Sequence, residues 1–277
     1  MTALDHTVSH ALFEIWECRE CTVRFTQRIP DAKGMQAYYR AESYISHTDT
    51  SKGLINRLYH IVRKKTLGDK RKLLVSATAK RNGRLLDIGA GTGAFVHYMQ
   101  QSGWEAAGLE PDEQARAIAA SRHQVDLKPI EALATEPGHS YDAITLWHVL
   151  EHVHDLHNYL ERLKNLLKPG GRIFIAVPNY TSYDARIYQG NWAAYDVPRH
   201  LYHFSPDSMK RLFKAHALSL QAIRPMWFDA FYISLLSEKY KNGKGNVVAG
   251  FWRGAISNIQ ALANRERCSS LVYVAAV

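Results

Sequence analysis

Apolar residues recur at spacings of three and four between residues 35 and 80, as in Leu54, Ile55, Leu58, Ile61 and Val62, and predict helix there. After Asn82-Gly83 the pattern changes to short apolar runs separated by amphipathic stretches. Arg84–Ile88, Glu105–Leu109, Tyr141–Leu146 and Arg172–Val177 read as strands, and Ala94–Gln101, Asp112–Ser121 and Leu156–Leu167 as helices. Such alternation predicts a parallel sheet with helices on both faces. Lys168-Pro169-Gly170-Gly171 ends the last of these helices and turns the chain into the next strand. Beyond it, 207–215 reads as helix, 217–223 as strand and Ser270–Val277 as a final strand. Residues 1–30 read as irregular. Residues 179–205 show no periodicity, and a stretch of that length inside an α/β domain predicts a lid or binding loop.

The most informative run is Leu85-Leu86-Asp87-Ile88-Gly89-Ala90-Gly91-Thr92-Gly93-Ala94. An apolar strand enters a glycine turn and leaves as a helix, whose first N–H groups are free to meet a ligand. Glu110 ends the next strand, about where an acid can accept both hydroxyls of a ribose. Gly89, Gly91 and Ala94 also satisfy the dinucleotide pattern G-x-G-x-x-A, so a nicotinamide-linked reductase competes. Asp87 argues against it. A carboxylate at the end of a buried strand repels a diphosphate and holds a cationic amino group, such as that of S-adenosylmethionine. The plainer role of Asp87, bracing the glycine turn, stays open.

These residues resemble motif I of the class I S-adenosylmethionine-dependent methyltransferases. The resemblance continues through Gly108-Leu109-Glu110-Pro111, Tyr141-Asp142-Ala143-Ile144 with Leu150-Glu151-His152-Val153, and Leu166-Leu167-Lys168-Pro169-Gly170-Gly171, in the family's order over residues 80–225. Within the superfamily the chain is similar to the bacterial methyltransferase-domain group related to the ubiquinone-type O-methyltransferases. Asp196-Val197-Pro198-Arg199-His200-Leu201-Tyr202-His203-Phe204-Ser205 also looks like that group. The resemblance implies an α/β fold: a Rossmann-like, doubly wound, mostly parallel seven-stranded sheet with helices on both faces, plus an N-terminal helical cap. Together with the patterning, this divides the chain into an irregular segment 1–34, a helical cap 35–80, and a methyltransferase domain 81–277 with its acceptor-site loop at 179–205.

Carried over by residue, Asp87, Gly89, Gly91 and Gly93 would line the methionine and ribose side of S-adenosylmethionine. Glu110 would take the ribose hydroxyls and Pro111 would flank the adenine. Ile130 and Glu131 would lie near the adenine edge, although Lys128-Pro129 departs from the glycine-acid pair common there. Trp147 and His148 would face the reactive end. Tyr44 and His47, in helices that fold over the cofactor in similar proteins, could contact the methionine end. The product would be S-adenosylhomocysteine.

Four of the 14 histidines fall between His148 and His157. If a helix opens at His148, then His148, Glu151 and His152 share one face, which is metal-ligand geometry in principle. Some ubiquinone-type relatives have two acids and a histidine suggested to hold a divalent ion, but His148 stands where they have an acid. No metal is expected there. His152 or His200 is the candidate base, because a histidine accepts a hydroxyl proton near neutrality. Trp192, Tyr195, Arg199, His200 and His203 would form an aromatic acceptor pocket. Cys18-Arg19-Glu20-Cys21 is half of a zinc ribbon, a remnant that His6 and His10 could complete.

Composition narrows the field. The chain has 277 residues, 46% of them hydrophobic and 22% charged, as in a globular protein, and no apolar run long enough to span a membrane. Three cysteines and a polar start suit a cytoplasmic protein. The net charge of +9 resides in residues 57–84, with ten basic side chains and one acid; elsewhere 25 basic residues balance 25 acidic ones. A basic helical face of this kind opens a rival reading, an RNA methyltransferase. A protein that binds S-adenosylmethionine without turnover is another. The favoured reading is O-methylation of a small molecule.

Overall fold

A computed structural model describes residues 1–31, 34–39 and 54–277, with backbone only for 54–63. The strands are β1 (Thr2–Leu4), β2 (Leu12–Glu17), β3 (Arg24–Thr26), β4 (Arg84–Ile88), β5 (Glu105–Leu109), β6 (Tyr141–Trp147), β7 (Leu167–Pro178), β8 (Tyr202–His203), β9 (Ser219–Pro225) and β10 (Ser270–Ala276). The helices are α1 (34–39), α2 (Leu54–Thr78), α3 (Ala94–Gln101), α4 (Glu113–Ile118), α5 (Leu156–Leu166), α6 (Tyr183–Tyr188), α7 (Pro206–Ala215), α8 (Asp229–Asn242) and α9 (Val247–Ala263).

The larger sheet is mostly parallel and runs β5-β4-β6-β7-β10-β9. It has six strands among the described residues, where seven were expected. At the seventh position only Lys128 bridges Leu109, giving its carbonyl to Glu110 and its N–H to Gly108. Pro129 follows and has no N–H to extend the ladder.

The chain divides into two compact units. One gathers residues 43–149, 155–175 and 274–277. Its centre is β4, parallel to both β5 and β6, with Leu85, Leu86 and Ile88 fully buried. A strand sandwiched this way reads as a near-continuous apolar run, so the one carboxylate in it stands out. α5 buries Leu156, Leu160, Leu163 and Leu166, at spacings of four, three and three, and is capped by Asp155.

The other unit gathers residues 1–42, 150–154 and 176–273. Residues 1–30, expected to be irregular, instead supply three strands of a small sheet ordered β1-β2-β3-β8, antiparallel throughout. Phe13 and Ile15 alternate inward from β2 and join Tyr188, Trp192, Tyr195 and Val197 in one core. The segment 179–205 is therefore not the open loop its missing periodicity suggested. It folds as α6, two single turns and β8, and Trp192, Tyr195, Arg199 and His203 are buried in it. Asp184, fully buried, accepts hydrogen bonds from Trp192 at 2.7 Å, Ser257 at 2.8 Å and Ser269. Such a satisfied network is a structural brace.

Candidate active site

β4 ends in the glycine turn. Gly89, Gly91 and Gly93 all have positive φ, at 70°, 54° and 75°, which side chains rarely adopt. Their surroundings differ. A Cβ on Gly89 would lie 2.4 Å from a methyl of Val149, and one on Gly93 would lie 2.9 Å from Ala119. A Cβ on Gly91 would meet nothing within 4 Å. Gly89 and Gly93 thus permit close packing, whereas Gly91 borders open space.

Asp87 sits one residue before the end of β4 and is 1% exposed. Burial pushes its carboxyl up to about 6, Glu110 adds to the rise, and the Thr145 hydroxyl and the charge of Lys70 oppose it. Thr145 donates to one carboxylate oxygen at 2.6 Å. A buried acid poised in this way gains most from a cationic ligand.

Glu110, the residue after β5, is also buried, and burial raises its pKa. It accepts the backbone N–H of Gly91 at 2.7 Å and that of Asp112 at 3.0 Å, and so fixes the glycine turn. Each oxygen keeps a lone pair for a ligand hydroxyl. Pro111 is exposed beside it, Ile130 and Glu131 open a single turn, and Glu131 is exposed.

Trp147 closes β6. Its ring meets Phe95 edge-on at 5.6 Å, with the Lys70 ammonium 4.1 Å from its centroid. Its indole N–H is buried and has no hydrogen-bond partner among the described residues. An orphaned donor, a buried carboxylate and an open glycine in one unit fit a ligand that carries a cationic head and acceptor atoms. Sequence reasoning missed Lys70 and Thr145. A lysine in a basic run and a threonine in a strand have plainer explanations.

In the other unit, Leu150–His152 forms one 3-10 turn. The helix face expected to carry His148, Glu151 and His152 does not exist. His148 has φ 59°, a left-handed conformation outside the helical region, and the turn begins only at Leu150. Glu151, His152 and His200 come together instead, with one ligand atom each within 4.8 Å of the others. Glu151 is fully buried and His200 nearly so. The two imidazole centroids are 4.6 Å apart at 79°.

The hydrogen bonds assign the tautomers. His200 Nδ1 is 2.9 Å from the Ala194 carbonyl, and His152 Nδ1 is 3.0 Å from the Arg199 carbonyl. A carbonyl only accepts, so Nδ1 carries the proton in each ring, and Nε2 holds the lone pair of the neutral form. Tyr39 places its hydroxyl 3.2 Å from the same His152 nitrogen. Burial, reinforced by the neighbouring His152, lowers the pKa of His200, so it is neutral at physiological pH. His203 is held further below the ordinary range, chiefly by burial, and sits 3.1 Å from the Thr26 hydroxyl. Arg199 is bound to Asp196 and to the Tyr38 carbonyl. Trp192, Tyr195, Arg199 and His203 are thus packing and bracing residues rather than walls of an open acceptor pocket.

Tyr44 and His47 lie outside the described residues. Cys18 and Cys21 are free thiols with no third metal-ligating side chain beside them among the described residues. His6, the proposed completing ligand, is stacked on Tyr240 at 4.0 Å. The basic run is not one free face: Lys65 pairs with Asp69, Lys70 covers Trp147, Lys80 pairs with Asp142 and Arg84 with Glu105.

Comparison with known proteins locates this arrangement. A family described as "Methyltransferase domain" matches residues 59–222. The chain is 27% identical over 164 residues to the mitochondrial ubiquinone biosynthesis O-methyltransferase of Homo sapiens, covering 53% of this chain and 44% of that one. It is 29% identical over 169 residues to the ubiquinone biosynthesis O-methyltransferase of Idiomarina loihiensis, covering 56% and 70%. It therefore matches less than half the length of the human relative. Among solved structures, 1,6-didemethyltoxoflavin-N1-methyltransferase of Burkholderia thailandensis superposes with a TM-score of 0.54 over 95% of this chain and 98% of that one, at 15% identity, and so shares its fold.

Proposed function

We propose that this chain, which belongs to the methyltransferase-domain family and is a class I S-adenosylmethionine-dependent methyltransferase, methylates an oxygen of a small-molecule acceptor. Bound S-adenosylmethionine supplies an activated methyl group on a sulfonium centre, and S-adenosylhomocysteine is its product. Asp87 receives the amino head. Glu110 takes the ribose hydroxyls, with Pro111, Ile130 and Glu131 toward the base and Trp147 and His148 toward the reactive end. Gly89, Gly91 and Gly93 shape the turn around them. Since the methyl group arrives activated, the protein mainly aligns reactants, a contribution that reaches roughly 7–11 kcal/mol in favourable cases.

The observation that carries the reading is the buried Asp87 carboxyl, held near 6 beside an open glycine. Oxygen as acceptor atom is supported by the names of the relatives and by His200. Its neutral, Nε2-basic ring is suited to take a hydroxyl proton. His152 has the same tautomer and is the alternative base. The test is transfer of a labelled methyl group to a panel of small phenols and catechols, with RNA as a parallel substrate. Transfer to phenols alone supports the reading, and transfer to RNA alone replaces it with the nucleic-acid alternative.

One observation favours a second reading of the same trio. Two imidazoles and a buried carboxylate, with both Nδ1–H groups tied to carbonyls, match the donor set and outer hydrogen bonds of a borderline divalent ion such as zinc. Glu151, His152 and His200 would hold it, and it would lower the pKa of an acceptor hydroxyl.

A further inference from the structure

α9 is built inside out. Gly250, Gly254, Ser257 and Ala261 form its buried stripe, and the large apolar side chains face away from the protein. A Cβ on Gly250 would lie 2.9 Å from the Leu235 backbone, and one on Gly254 would lie 2.8 Å from the Phe231 backbone. The two helices of the α8–α9 hairpin therefore approach backbone to backbone, and α9 can place only small residues in the contact. The outer stripe holds Val248, Phe251, Trp252, Ile259 and Leu262, each between 55% and 71% exposed. Arg253 is the one charged residue among the 17 of α9. An exposed apolar stripe of this length needs an occupant.

Charge identifies the occupant. Residues 239–264 contain Lys239, Lys241, Lys244 and Arg253 and no acidic side chain. The three lysines are exposed at the end of α8 and in the turn that leads into α9. Asn246 caps α9 by accepting the Ala249 N–H at 3.0 Å, so the helix starts immediately after the basic turn. An apolar helical stripe with a tryptophan, bordered by cations, is the pattern of a helix lying in the plane of an anionic lipid surface. A second copy of the chain fits less well, because residues 239–264 offer no acidic side chain to pair with the exposed lysines of a facing copy. No helix of the described residues is long and apolar enough to cross a membrane, so the contact would be parallel to the surface.

We propose that the α8–α9 hairpin docks this protein on anionic phospholipid membranes, with Val248, Trp252 and Ile259 inserted among the acyl chains and Lys239, Lys241 and Lys244 at the headgroups. This inference rests on the hairpin alone and does not depend on the methyl-transfer reading.

The test is co-sedimentation of the full chain with phosphatidylcholine vesicles, with and without phosphatidylglycerol, at low and high salt. Two variants accompany it: Val248→Ser/Trp252→Ser/Ile259→Ser, and Lys239→Gln/Lys241→Gln/Lys244→Gln. Melting temperature checks that both fold, and analytical ultracentrifugation reports association. The wild type is expected to bind only the phosphatidylglycerol vesicles, in a salt-sensitive manner. The lysine variant should bind about fivefold more weakly per lysine removed. The serine variant should fold and fail to bind. Three results would overturn the proposal: no vesicle binding by the wild type, binding that folded variants retain, or a wild-type dimer that the serine variant converts to monomer.

Discussion

Thr145 and Asp87 face each other in register across β4 and β6, and the threonine hydroxyl donates to the buried carboxylate at 2.6 Å. This bond opposes the burial that raises the acid, so it keeps Asp87 ionisable near neutral pH. Thr145→Val preserves the shape and removes the donor. Hydrogen bonds to charged groups contribute about 1.5–3 kcal/mol. Affinity for S-adenosylhomocysteine at pH 7 should therefore fall by about tenfold or more in calorimetry. Unchanged affinity would show that the hydroxyl does not govern the acid.

The same acid predicts how stability depends on pH. Its folded pKa of about 6 exceeds the usual 3.8, so between those values the folded protein binds the extra proton. Stability from this group is present at low pH and is lost as pH rises toward 6. At pH 7 the ionised, ligand-free carboxylate costs about 3 kcal/mol. Asp87→Asn should melt above the wild type at pH 7, and the two should converge near pH 4. A variant that melts lower at pH 7 would mean that a buried partner already compensates the charge.

His200 is expected to act in turnover without contributing to donor binding. His200→Gln should lower the rate of methyl transfer by about 10²–10⁴-fold and leave S-adenosylhomocysteine affinity unchanged. Since burial lowers the pKa of this ring, the wild-type rate at saturating S-adenosylmethionine should hold to pH values below the ordinary histidine pKa before it falls. A rate that declines as pH drops from 8 to 7 would assign the base elsewhere.

Removal of divalent ions separates the two readings of the trio. With histidines acting as bases, exhaustive dialysis against EDTA leaves methyl transfer intact. Loss of activity that zinc restores would assign Glu151, His152 and His200 to a metal centre instead.

The two neighbouring glycines should behave differently. Gly89→Ala drives a methyl into Val149 and should lower the melting temperature strongly. Gly91→Ala meets no protein atom and carries only the strain of its positive φ, about 1–2 kcal/mol. It should fold and lose donor binding. Equal effects at the two positions would mean that the turn is shaped by packing alone.

The glycine turn was legible in sequence because strand, turn and helix are contiguous there, and an acid in an apolar run has few innocent explanations. His200 was legible as a candidate, but its meeting with Glu151 was not, since that depends on how distant segments fold back. The face drawn through His148 failed on one left-handed residue, which no spacing rule anticipates. β2 escaped notice because Leu12 and Trp16 are apolar yet exposed, which blurs the alternation around Phe13 and Ile15. α9 would mislead any reading by hydrophobicity, for its small residues are the ones inside. Lys128 could pass for the start of a strand, and only the missing N–H of Pro129 explains why it stops.

The most direct test of the account is a calorimetric titration of S-adenosylhomocysteine into the wild type and Asp87→Asn at neutral pH, with NADH as control. The wild type should bind S-adenosylhomocysteine and not NADH, and the folded variant should bind at least about tenfold more weakly, as expected when a buried charge loses its partner. Equal affinity in the two proteins would contradict the claim that this carboxylate receives the donor's amino group.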